Sequence, residues 1–143
     1  MPYFSKSSIR KLKTCDPELQ TLFHYVIKYF DCKVIYGYRG EKMQNAAFYG
    51  GFSTVKWPYS KHNKQPSQAV DVIPWPIQWN NTDRMRYFIG FVKGVAQMLK
   101  AYGAMNKEIT TGIDWDNDTI LKDQRFNDFP HFEIKKTINI QIK

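Results

Sequence analysis

The chain contains three histidines, His24, His62 and His131, and two of them have neighbours that make chemistry feasible. His62 lies in Ser60-Lys61-His62, upstream of Ala69-Val70-Asp71, and His131 lies in Asp128-Phe129-Pro130-His131-Phe132-Glu133. Pro130 disfavours helix here, so His131 is expected to open an extended segment with its ring fixed on one sheet face. Asp71 sits in an otherwise apolar run, where a carboxylate is costly unless it is paired or binds a metal. Two imidazoles and one carboxylate could hold a catalytic zinc, which takes three protein ligands and leaves one position for water. Such an ion lowers the pKa of its water towards ~7 and polarises a carbonyl. A base that is not a ligand is also needed, and Asp128 is placed to face the same pocket. Plainer roles fit each residue too: a solvated loop histidine, a strand aspartate capping a backbone, a solvated carboxylate in an acidic loop. His24, on a helix flank, reads as solvated.

These side chains need elements to position them. Asp16-Pro17-Glu18 is a helix start, with a cap, a proline at the first turn and an acid at the positive dipole end. Leu19, Leu22, Phe23, Val26, Ile27 and Phe30 then follow helical spacing, which predicts an amphipathic helix of about 14 residues. Lys33–Tyr36 reads as a strand ending at Gly37, and Glu41–Tyr49 as a short helix ended by Gly50-Gly51. Phe52–Gln68 reads as a loop and Ala69–Ile73 as a buried strand stopped by Pro74. A long helix is expected from a Thr82 cap to Gly103, with Met85, Phe88, Ile89, Val92, Val95, Ala96 and Leu99 as its apolar stripe. A weak strand at Ile109–Ile113, an acidic loop at Asp114–Asp128, and strands at Phe132–Ile134 and Ile138–Ile142 complete the order. This order predicts an α+β fold: helices packed against a small, mostly antiparallel sheet that carries the site.

Composition narrows the class. With 143 residues the chain is expected to be one domain, 1–143, with a core of its own. Its net charge of +8 suggests an anionic partner: nucleic acid, a membrane surface or an acidic polymer. No stretch approaches the ~20 apolar residues of a membrane span. No secretory signal is recognisable, so the protein is expected in the cytosol. Cys15 and Cys32 fit neither a redox pair nor a four-ligand zinc site and read as reduced thiols.

Ser60-Lys61-His62, Ala69-Val70-Asp71 and Asp128-Phe129-Pro130-His131 together resemble the zinc peptidases of bacterial cell walls. These are the D-alanyl-D-alanine carboxypeptidases and L-alanyl-D-glutamate endopeptidases, which include many phage endolysins. Gly37-Tyr38-Arg39 is similar to the family's Gly-Tyr-Arg segment, and Gly112-Ile113-Asp114-Trp115-Asp116 to a stretch of its phage members. The resemblance runs from about Leu19 to Ile134. It implies that His62, Asp71 and His131 bind one zinc ion, and that Asp128 is the general base. It implies that Arg39 binds a substrate carboxylate or steadies an oxyanion, and that Ser60 holds its neighbours or touches substrate. The implied substrate is the peptidoglycan stem peptide, cut between L-alanine and D-glutamate. The implied protein is a monomeric phage or prophage endolysin, held in the host cytoplasm until a holin releases it. Eight residues, Asn63 to Val70, separate the first histidine from the aspartate, a two-residue insertion relative to the family pattern.

Other functions fit parts of the same pattern: a D,D- or L,D-carboxypeptidase of the same family, or a non-catalytic basic domain binding wall polymer or nucleic acid. The charges are scattered and no known nucleic-acid motif is present, so no specific nucleic-acid partner is expected. Asp114, Asp116 and Asp118 resemble the start of a calcium loop, but Thr119 and Arg125 break the full pattern.

Overall fold

The computed structural model describes residues 2–122 and 127–135. The strand expected at Ile138–Ile142 lies outside the described residues. Among the described residues four α-helices, α1 (Lys6–Leu12), α2 (Pro17–Val26), α3 (Glu41–Tyr49) and α4 (Thr82–Ala101), accompany four strands. The strands are β1 (Cys32–Tyr36), β2 (Ala69–Pro74), β3 (Ile109–Thr111) and β4 (His131–Ile134). They form one sheet in the order β1-β2-β4-β3, with every neighbouring pair antiparallel. The expected α+β class is therefore the observed one.

Local chemistry explains most of the elements. The Asp16 side chain accepts from Glu18 N–H at 2.8 Å and starts α2. This helix is shorter than its apolar spacing predicts, ten residues to Val26. Tyr29 N–H and Phe30 N–H both donate to the Val26 carbonyl, so the chain tightens there and still buries the stripe. The cap of α4 is Asn81, one residue before the expected Thr82, with its side chain accepting from Arg84 N–H. All seven apolar residues expected on the α4 stripe are buried. Helix α1 was not expected from the sequence. Ser5 caps it, and Ser8 Oγ accepts from Val34 N–H at 3.1 Å, which ties the helix to β1.

The core lies on one face of the sheet, under α2 and α4. Phe132 contacts Phe23 and Phe88 edge-on, with ring centroids 5.2 and 6.1 Å apart. Val70, Val72 and Phe132 are almost completely buried in the same cluster. Side chains alternate across a strand, so Asp71, His131 and Glu133 must point to the other face.

Candidate active site

Asp71 and His131 are direct partners across the β2–β4 ladder. His131 Nδ1 lies 3.3 Å from Asp71 Oδ1, and His131 Nε2 lies 2.8 Å from Glu133 Oε1. Glu133 is in turn 2.8 Å from Lys61 Nζ, which also donates to the Ile134 carbonyl.

His62 reaches the same place from a single 3-10 turn, Lys61–Asn63. Ser60 Oγ accepts from His62 N–H at 3.1 Å, and the Asn63 side-chain oxygen accepts from Ser60 N–H at 3.0 Å, so both ends of the turn are closed. His62 Nδ1 is 2.8 Å from the Gly37 carbonyl. A carbonyl only accepts, so Nδ1 carries the proton and Nε2 turns inward, 3.2 Å from Asp71 Oδ1. Gly37 is required at this point. A Cβ there would sit 2.3 Å from both the Lys11 carbonyl and Thr14 Oγ1.

One ligand atom from each of His62, Asp71 and His131 lies within 4.8 Å of the others, and all three residues are buried. The set fits a metal on its chemistry. Each imidazole has one nitrogen tied to an outer acceptor and the other facing the carboxylate, the usual outer-shell support of metal-binding histidines. The longer His62–Asp71 interval does not separate them. Between them, buried Ser67 anchors the chain: its N–H donates to the Thr14 carbonyl and its carbonyl accepts from Asp16 N–H.

Asp128 Oδ2 is 3.9 Å from His131 Nδ1. Gly112 sets this placement. Its carbonyl accepts from Asp128 N–H at 2.8 Å and its N–H donates to the His131 carbonyl at 2.9 Å. A Cβ on Gly112 would come within 2.0 Å of the Asp128 carbonyl oxygen, so only glycine permits the approach. The Trp115 ring lies 5.2 Å from that of His131. Arg39 is buried, with Nη2 3.3 Å from Asp71 Oδ2, Nη1 3.2 Å from Gln44 Oε1, and its guanidinium 4.9 Å from the Tyr36 ring centroid.

The charges are strongly interdependent. Burial works to raise the Asp71 carboxyl, but the two histidines beside it outweigh this and hold it well below the usual carboxylate range. Asp128 moves the other way. Burial, then the nearby Asp71 charge, push it up to about 6, partly offset by His131, His62 and Arg39. Burial would lower His131, yet its hydrogen bonds to Asp71 and Glu133 raise it to about 9. Two carboxylates on one site with opposite shifts is the pattern that divides acid–base roles from ligand roles.

Two cavities meet at this cluster. One, of about 270 Å³, is lined by Ser53, Thr54, Ser60, Lys61, His62 and Glu133 among others. The second, of about 700 Å³, is lined by Ile35, Met43, Ala46, Ala47, Trp79 and Pro130 among others. Arg39, Phe52 and Asp128 border both.

All six residues singled out in the sequence, Arg39, Ser60, His62, Asp71, Asp128 and His131, thus line or floor one cleft. Glu133, Lys61, Gln44, Asn63 and Gly112 also build it, with roles that the sequence does not assign. Glu133 carried a readable signal, because it lies two residues from His131 in a strand and must share its face, and Lys61 and Gly112 stand within the motifs of the resemblance. Asp114, Asp116 and Asp118 each bring an oxygen within 4.8 Å of the others, with Asp114 buried. Asp114 Oδ2 accepts from Thr119 N–H, while Oδ1 has no hydrogen-bond partner among the described residues.

A small α+β fold with a buried two-histidine, one-carboxylate cluster and a raised carboxyl beside it, at the meeting point of two cavities, defines a hydrolase with a candidate metal centre. The chain belongs to the phage L-alanyl-D-glutamate peptidase family, whose sequence model matches residues 1–135. It is thus a peptidoglycan peptidase, as the motifs in its sequence imply. Its fold is similar to that of the L-Ala D-Glu endopeptidase ChiX of Serratia marcescens, with a TM-score of 0.69 and 20% sequence identity over 94% of this chain and 91% of that chain. No curated protein sequence matches it. No helix among the described residues is long and apolar enough to cross a membrane.

Proposed function

We propose that this chain hydrolyses the amide between L-alanine and D-glutamate in the peptidoglycan stem peptide, with one zinc ion held by His62 Nε2, Asp71 and His131 Nδ1. The observation that carries this reading is the convergence of those three atoms beside Asp128, in a chain of this family. Zinc bound there would supply a polarised carbonyl and a water that ionises near neutral pH. The chain's own residues do the rest. Asp128 takes a proton from the attacking water and later delivers one to the amine nitrogen of D-glutamate as the C–N bond breaks. Glu133 and the Gly37 carbonyl hold the two imidazoles in the orientations that face Asp71. Arg39 pairs with Asp71 and borders both cavities, so its guanidinium can meet a substrate carboxylate or oxyanion. Ser60 acts chiefly by fixing the turn that carries His62.

The +8 charge supports a delivery role, holding a monomeric enzyme near anionic wall polymers. Release from the host cytoplasm by a holin fits the same reading. The test is a digest of purified peptidoglycan by zinc-loaded protein, followed by mass spectrometry of the new termini. Fragments ending in L-alanine and beginning with D-glutamate are expected, and they should vanish with chelator and in His131→Ala. Other termini, or release that survives both treatments, overturn the proposal.

A further inference from the structure

We infer that the larger cavity is the acyl-side subsite, and that Trp79 and Phe52 at its mouth bind the muramyl sugar to which the stem peptide is joined. The inference rests on the L-alanyl-D-glutamate reading above and adds an orientation and a specificity device.

The two cavities differ in what they can desolvate. The larger is walled by Ile35, Met43, Ala46, Ala47 and Pro130, and its only charged residues are Arg39, Asp71 and Asp128, which already belong to the cluster. The smaller is more polar, lined by Ser53, Thr54, Ser60 and the Lys61–Glu133 ion pair. The substrate is equally lopsided. On the acyl side of the scissile amide stand an alanyl methyl and a lactyl methyl, both uncharged. On the amine side, D-glutamate carries a free carboxylate beside the scissile nitrogen. Arg39 borders both cavities, so the carboxylate can meet it from the smaller one, whereas the apolar walls of the larger would strip its hydration. The acyl half therefore enters the larger cavity and the acidic half the smaller.

This orientation brings the sugar to the protein. Only the alanyl residue and the lactyl group separate the scissile carbon from the ring, roughly two residue lengths or ~7 Å. A ring at that distance would meet the lining of the larger cavity. There Phe52 is 79% and Trp79 56% exposed, large apolar surface left in water at the rim of a cleft. The volume of about 700 Å³ falls within the ~300–1,000 Å³ range of ligand sites, enough for a sugar and two methyl-bearing groups. Flat aromatic faces against the C–H face of a pyranose give affinity without charge.

The experiment compares two substrates with the same scissile bond: a muramyl-L-alanyl-D-glutamyl peptide and its N-acetyl-L-alanyl-D-glutamyl counterpart. The wild type is expected to favour the muramyl form by about tenfold in kcat/KM, mostly through KM, the size of one or two aromatic contacts. Trp79→Ala and Phe52→Ala should each lower that preference several-fold, and Trp79→Phe should retain part of it. Tyr102→Ala, an exposed aromatic at the C-cap of α4, should leave it intact. Equal turnover of both substrates by the wild type, or a preference untouched by both rim substitutions, overturns this inference alone. Failure to cleave either substrate overturns the proposed bond and the inference with it.

Discussion

Glu133 Oε1 stands 2.8 Å from His131 Nε2, and this contact decides which nitrogen of His131 faces the cluster. With Nε2 occupied, Nδ1 is left for Asp71 and Asp128. Lys61 holds Glu133 from its far oxygen, so the carboxylate cannot swing away without losing an ion pair.

Glu133→Ala is therefore expected to weaken zinc binding by about 10–100-fold, the usual effect of losing an outer-shell partner. Glu133→Gln keeps an acceptor and should lose less. Competition with a chromophoric chelator measures both, and equal affinities in all three proteins would contradict the role.

Asp128→Asn should separate chemistry from metal binding. Metal analysis is expected to find wild-type zinc content, while kcat falls by about 10²–10⁴, the range for a lost general acid–base group. Loss of the metal together with the activity would instead make Asp128 a ligand.

Gly112→Ala probes the same carboxylate through the backbone. The added methyl cannot share space with the Asp128 carbonyl, so the 127–130 segment must move. Activity should fall by more than tenfold, since small misplacements of a reacting group are costly. Zinc affinity should change less. A fully active variant would show that the approach is not needed.

Phe132 lies between two residues of the site but faces the core, with no exposed surface. Phe132→Ala should destabilise the fold by about 3–5 kcal/mol, the range for a buried phenylalanine truncation. Urea denaturation gives the value, and a loss under 1 kcal/mol would mean that α2 and α4 close the gap.

The two thiols predict an alkaline weakness. Burial pushes Cys15 up to about 12, and burial with the Asp31 charge pushes Cys32 higher still. The neutral thiols contribute fully below their unfolded pKa, ~8.5. Above it the unfolded chain ionises first, and stability falls by up to ~1.4 kcal/mol per pH unit for each thiol. Urea midpoints at pH 8 and 9.5 should drop less in Cys32→Ala than in the wild type. Native protein at pH 8 should resist thiol reagents that label it fully once unfolded.

Much of this was legible in the chain. The stripes of α2 and α4, the extent of α3 and the place of β2 follow from apolar period, caps and turn residues, which act over a few neighbours. Boundaries were less legible, because Asn81 and Thr82 can both cap and packing chose between them. Helix α1 was missed because its seven residues have little apolar period, and its anchor is a bond from Val34 to Ser8 that no local pattern announces.

The sequence by itself determined which side chains were available and in what order. His62, Asp71, Asp128 and His131 stand in the family's succession, and strand alternation set Asp71 and His131 apart from their apolar neighbours. Only the tertiary structure decided that these two stand opposite each other, because register between strands 60 residues apart depends on how their apolar faces share one core. It likewise decided the inward nitrogen of each histidine, through Gly37 and Glu133, and the place of Asp128, through Gly112. Such contacts join groups far apart in sequence, and the energies that select them arise only when the chain is packed.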